Sequence, residues 1–322
     1  MTPVPKAELH VHVEGAAAPD LIRRIAERNG VEVPAGVFAR DGSFAWSDFL
    51  DFLRVYDAAT SVIRTGRDYR DIVFEYLVRC AGEGAVYVEL TASADHAALV
   101  GVSDEDHLAG LAQGIDDARA QTGIEARIVM SCVRHFGPEK AVEVARRTVE
   151  QPHPYVTGFG MGGDEAGYPA HLFSEAFAIA ARAGLGLTVH AGEWAGPESV
   201  RSGLALGVTR IGHGVRAVED PDLVRELADR GIVLEVCPTS NVALGIYPAL
   251  EAHPLPVLRD AGVPVTLGSD DPPYWDASIG GEYAVAADAF GLDEAALRDI
   301  TRTAIAAAFV EEEVRQSLLE LV

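Results

Sequence analysis

Lysine is almost missing from this chain: Lys6 and Lys140 are the only two, and basic residues number 26 against 49 acidic ones. The formal charge of -23 repels nucleic acid and anionic membrane surfaces, so the expected partner is a small molecule. Cysteine is scarce as well. Cys80, Cys132 and Cys237 are odd in number, far apart and without CxxC spacing, which excludes a disulfide framework and a zinc ribbon and fits a reducing compartment. No apolar run approaches the roughly 18 residues of a membrane span, and the opening "MTPVPKAELH" lacks the charged-then-apolar pattern of a signal peptide. The expectation is a mature cytoplasmic chain that binds neither nucleic acid nor membrane. No GxGxxG or GxxxxGK[ST] follows a β-like run, which removes the usual nucleotide-binding folds.

What is present is alternation. Eight β-like runs recur: "AELHVHV" (7–13), "AVYVELTA" (85–92), "ARIVMSCV" (126–133), "VTGFGM" (156–161), "LGLTVHA" (185–191), "VTRIGHG" (208–214), "IVLEVCP" (232–238) and "VPVTLGS" (263–269). Helix-length segments separate them, such as "EDPDLVRELADRG" with Asp220 as N-cap, Pro221 in the first turn and Gly231 as the stop. Eight strand–helix units predict a (β/α)8 TIM barrel in one domain spanning 1–322. One connection is too long for a single helix, which predicts a helical insertion over about 15–84. Within it, 46–63 reads as a helix with Phe49, Phe52, Leu53 and Tyr56 on one face, placed either on the core or as a lid over the barrel mouth. The segment 293–309, capped by Asp293, reads as a closing helix of a C-terminal helical tail.

Barrel enzymes build their sites where the strands end. Here the strand ends carry His10, His12 and Glu14, then "GGDE" (162–165), His190 and Glu193, His213, and finally Asp270 and Asp271. Period-two alternation turns His10 and His12 to one side, which must be the barrel interior. A lone inward histidine is ordinarily a satisfied core residue; four of them with a carboxylate, at the ends of four strands, need another explanation. His10, His12, His190 and Asp270 form a nitrogen-rich set with one oxygen, suited to zinc with a position left for water. Glu193 is then placed as general acid, and His213 as the group that takes a proton from water and steadies the hydroxide. The bland alternatives are a buried salt bridge for Glu193 and a backbone contact for His213. Because neither lysine ends a strand, a carbamylated lysine bridging two metals and a Schiff-base aldolase both fall away, leaving a mononuclear zinc hydrolase.

The ordered set "HVHVEG" (10–15), "GGDE" (162–165), "HAGE" (190–193), "RIGHG" (210–214), "CPTSN" (237–241) and "SDDPP" (269–273) resembles the adenosine deaminase family over nearly the whole chain. The resemblance implies a barrel with one zinc that adds water at the amino-bearing purine carbon and expels ammonia. It makes His10, His12, His190 and Asp270 the ligands, Glu193 the donor to ring N1 and His213 the base. It also places Asp271 on ring N7 and the backbone N–H of Gly163 on N3. His12-Val13-Glu14 matches the H-x-E of another zinc deaminase class, but no P-C-x-x-C accompanies it. One departure concerns substrate. Deaminases of free adenosine usually carry Asp at the position of Glu14, where the carboxylate is implicated with the ribose, whereas adenine deaminases resemble "HxHxEG" but tend to carry Ser-Ser-Glu in place of "GGDE". A third branch, acting on aminodeoxyfutalosine, shares "CPTSN" and "SDDPP". The expectation is adenosine to inosine, with adenine to hypoxanthine and aminodeoxyfutalosine deamination as alternatives. A non-purine amidohydrolase and a catalytically silent binding protein stand further off.

Overall fold

In the first strand, small apolar residues alternate with charged ones, and the alternation reads as an inside and an outside. β1 (Lys6–His12) turns Ala7 and Leu9 outward, where they pack with Tyr87 and with Ala304, Ile305, Ala308 and Leu318 from the C-terminal helices. Glu8, His10 and His12 therefore face the interior. The remaining strands of this computed structural model, which describes residues 4–322, are β2 (Ala85–Ser93), β3 (Glu125–Val133), β4 (Val156–Gly162), β5 (Gly186–Ala191), β6 (Arg210–His213), β7 (Val233–Val236) and β8 (Val265–Leu267). They pair in parallel in the order β1 to β8. The two edges meet where His12 N donates to Asp270 O at 2.9 Å and Asp270 N to His10 O at 3.1 Å. The architecture is the expected (β/α)8 barrel.

The interior of this barrel holds ion pairs. Arg210 Nη2 donates to Glu89 Oε2 at 2.6 Å, and Arg210 Nε lies 2.7 Å from Glu235 Oε1, with all three side chains almost wholly buried. Glu89 also accepts from Tyr87 Oη at 2.9 Å. Removing one partner from such a network strands a buried charge, at a cost of about 3–5 kcal/mol.

The β1–β2 connection carries three helices, Pro19–Asn29, Phe49–Thr60 and Gly66–Gly82. Asp48 caps the second by accepting from Asp51 N at 3.0 Å. The third has a capping box between Thr65 and Asp68. Asp220 and Gly231 bound the helix Pro221–Arg230 as the sequence predicts, and Asp293 caps Glu294–Ala307, which a further helix, Glu312–Leu319, follows. No helix among the described residues is long and apolar enough to cross a membrane.

Candidate active site

The expected ligand residues come together at the C-terminal ends of β1, β5 and β8. His10 Nδ1 donates to Glu235 Oε2 at 2.8 Å and His190 Nδ1 donates to Met161 O at 3.0 Å, which turns the Nε2 atoms of both rings to the barrel mouth. His12 Nε2 stands 3.1 Å from His190 Nε2 and 3.2 Å from Asp270 Oδ1, and His10 Nε2 lies 3.6 Å from that same oxygen. Asp270 Oδ2 is occupied by Ser240 Oγ at 2.6 Å. Donor atoms of His10, His190, His213 and Asp270 lie within 4.8 Å of one another, as do those of His12, Asp270 and Asp271.

Two observations say that a cation fits. His10 Nε2 is buried without a hydrogen-bond partner among the described residues. Burial pulls the His10 ring downward, yet the neighbouring carboxylates of Asp270 and Glu235 outweigh it and lift its pKa to about 10, the mark of a site with surplus negative charge. Three imidazoles and one carboxylate are a donor set suited to zinc. Asp270 and His213 both have positive φ, 64° and 61°, a region non-glycine residues seldom occupy, so the backbone is strained at the site. At Gly212, beside them on β6, a Cβ would come 2.8 Å from His10 Cε1, so no larger residue fits there.

Glu193 and His213 meet at the same place, Oε2 and Nε2 being 3.7 Å apart. Burial, and then the charges of Asp270 and Glu165, push the Glu193 carboxyl well above the usual carboxylate range, so it holds its proton. Burial lowers His213 to about 3, so its ring is neutral. A chain of hydrogen bonds fixes which nitrogen keeps the proton. Leu255 N–H donates to His253 Nδ1 at 3.2 Å; His253, lowered to about 4 by burial, is neutral and carries its proton on Nε2, 3.1 Å from Asn241 Oδ1. The amide nitrogen of Asn241 therefore faces His213 Nδ1 at 3.2 Å, and since it can only donate, His213 keeps its proton on Nε2, toward the site.

Four charged residues that the sequence reading passed over hold this arrangement. Glu165, the last residue of "GGDE", accepts from the backbone N–H groups of Gly192, Glu193, Trp194 and Ala195 at 2.6 to 3.1 Å, and from Ser199 Oγ. It fixes the turn that carries Glu193. Arg134 Nη2 donates to His190 O at 2.6 Å, and Glu8 Oε1 accepts from both Ser269 N and Ser269 Oγ at 2.7 Å, anchoring the residue before Asp270. Glu235 is the fourth. Glu8 and Glu235 were findable, because a carboxylate at an inward position of an apolar strand must have a partner.

A cavity opens over these residues. The helix Phe49–Thr60 covers it with Phe49, Phe52, Leu53 and Tyr56, the face expected from the sequence. Asp57 Oδ1 of the same helix lies 2.9 Å from His96 Nε2, and His96 Nδ1 lies 2.8 Å from Ser93 Oγ, so the helix is clasped to the end of β2. Asp271 and Gly163 are on the cavity wall. Asp271 Oδ1 is buried without a partner, and burial together with Asp270 raises its carboxyl well above the usual range. Gly163 has φ of 100°, and a Cβ there would meet His135 Nδ1 at 2.7 Å, so only glycine leaves this backbone open. Glu14 is buried beside the cavity residues Ser93 and Tyr56, and its Oε1 accepts from Ser93 N at 3.1 Å.

Comparison with known proteins agrees with this geometry. The family model described as adenosine deaminase matches residues 5–322. A curated relative named adenine deaminase, from Chelativorans sp. (strain BNC1), is 51% identical over 97% of this chain and 96% of its own length. Among solved structures, adenine deaminase from Arthrobacter aurescens superposes with a TM-score of 0.92 at 30% identity, covering 98% of this chain and 97% of that one. An amidohydrolase from Burkholderia ambifaria with bound zinc superposes with a TM-score of 0.88 at 27% identity, covering 98% and 88%.

Proposed function

The chain belongs to the adenosine deaminase family and is a hydrolase of amidine C–N bonds, and from that premise we propose that it converts free adenine to hypoxanthine and ammonia with one zinc per chain. The observation that carries the choice of adenine is the likeness, over almost the full length, to relatives named adenine deaminase. This reverses the order expected from the sequence, which put adenosine first. One feature of the site supports the reversal: Glu14, at the position implicated with the ribose, has its Oε1 taken by Ser93 N–H.

His10, His12, His190 and Asp270 would hold the zinc, which supplies a lowered water pKa of about 7 and hence a nucleophile at neutral pH. Glu193 donates the proton it retains to ring N1, the nitrogen that accumulates electron density as water adds at C6. His213 donates its Nε2–H to the oxygen of the attacking water and so orients it. In the neutral tautomer that Asn241 selects, Nε2 has no free lone pair, so His213 steadies the nucleophile; the water has already lost one proton to solvent, the hydroxyl proton of the C6 adduct passes to the amino group as it leaves as ammonia, and Glu193 regains its proton from solvent. Asp271, protonated at its unpartnered carboxyl, donates to N7, and Gly163 N–H donates to N3. The Phe49–Thr60 helix excludes bulk water while this happens.

The test is ammonia release from adenine, adenosine, deoxyadenosine and aminodeoxyfutalosine, compared by kcat/KM. Adenine should exceed each nucleoside by about a hundredfold or more, the scale on which a fitted polar site rejects a wrong substrate. A preference for adenosine would overturn the assignment and leave the family unchanged.

A further inference from the structure

Glu235 sits in β7 inside the barrel, and the cation beside its carboxylate keeps that carboxylate an acceptor. Arg210 Nε stands 2.7 Å from Oε1 as an ion pair without a directed hydrogen bond, and a guanidinium has donors only. Thr188 Oγ1 donates to the same oxygen at 3.0 Å. Arg210 cannot turn aside, because its other nitrogens are held by Glu89 Oε2 at 2.6 Å and Ala307 O at 3.0 Å. That leaves Oε2 for His10 Nδ1, at 2.8 Å, as an acceptor that the ring must donate to. With Nδ1 holding a hydrogen for Glu235, the nitrogen left to bind a metal is Nε2, the buried atom without a partner that faces Asp270.

We propose that Glu235 is a positioning residue that selects the metal-binding tautomer of His10, and that Arg210 makes the selection one-way. This rests on the zinc site proposed above. The reasoning separates the residue's shape from its charge. In Glu235→Gln the shape is kept, but the amide has one acceptor and one donor end. Arg210 and Thr188 claim the acceptor, so the NH2 falls opposite His10 Nδ1 and the ring has to accept there. Its proton then moves to Nε2 and occupies the position that the metal needs. In Glu235→Ala the shape is lost, yet water can enter and take the hydrogen bond from His10 Nδ1, leaving Nε2 bare.

The experiment is zinc affinity of the full chain by chelator competition, with visible absorption of the cobalt(II)-loaded protein and thermal unfolding of the metal-free protein read alongside. Partners of ligating histidines typically set metal affinity by about 10- to 100-fold. Glu235→Gln should reach or pass the upper end of that range and weaken the cobalt bands, and Glu235→Ala should lose less than Glu235→Gln. A role in packing alone predicts the opposite order, so alanine binding zinc more weakly than glutamine overturns the proposal. So does a glutamine variant that binds zinc as wild type does. A glutamine variant that does not fold also overturns it, because it assigns Glu235 to the fold rather than to His10. A wild-type protein without affinity for zinc sinks the metal reading itself, which the wild-type titration shows before any variant is made.

Discussion

The two walls of the cavity differ in how their polar groups are satisfied. On the wall of His10, His190 and Asp270, each side chain has one end held by the protein, at Glu235, Met161 O and Ser240 respectively, and the other end turned into the mouth. Around the rest of the cavity, Asp271 Oδ1 and His135 Nδ1 are buried without partners among the described residues, and Glu14 is held at one oxygen by Ser93 N–H. The first wall is finished before any ligand arrives; the second is completed by one. A metal makes the same demand whatever the purine carries at N9, so the first wall is common to deaminases of bases and nucleosides. Choice of substrate falls to a few groups on the second.

Three substitutions probe that division. The largest effect is expected where the walls meet. Glu193→Gln keeps the size of the side chain and the metal site but removes the proton donor, so kcat should fall about a hundredfold or more. Zinc content should be unchanged, and metal loss in that variant would place Glu193 on the finished wall. Asn241→Ala acts one step back. It frees the His213 tautomer without touching metal or substrate, so kcat should fall about tenfold with KM nearly constant, less than the hundredfold or more that a general acid or base itself contributes; a change in KM alone would argue against the tautomer. The smallest effect is expected from Glu14→Asp, which shortens a carboxylate beside the cavity. The ratio of kcat/KM for adenine over adenosine should shift by a few-fold, about 1 kcal/mol, while zinc content stays constant. A lost zinc ion there would contradict the separation of the walls.

How much was legible follows from the same contrast. Period two in "AELHVHV" and the histidines and aspartates at strand ends were enough to place the barrel and to name the residues that the fold brings together at its mouth, because strand alternation and strand ends are local properties. Strand lengths were read too generously: "VTRIGHG" (208–214) yields only Arg210–His213, since the apolar run continues past the paired ladder into loops at the barrel ends. Glu235 and Glu8 were missed because their partners are 225 and 261 positions away, and only barrel closure brings them together. The bond between Glu14, just after β1, and Ser93 N was missed for the same reason.

Glu165 has a consequence beyond holding a turn. Four successive backbone N–H groups converging on one point form the kind of concavity with which many proteins capture phosphate or sulfate. Here that anion receptor is filled from within by the protein's own carboxylate. Buffer anions find no vacancy beside the proposed acid, and the carboxylate that fixes Glu193 in space also helps to hold its carboxyl above the usual range. Position and protonation of the acid thus share a single cause.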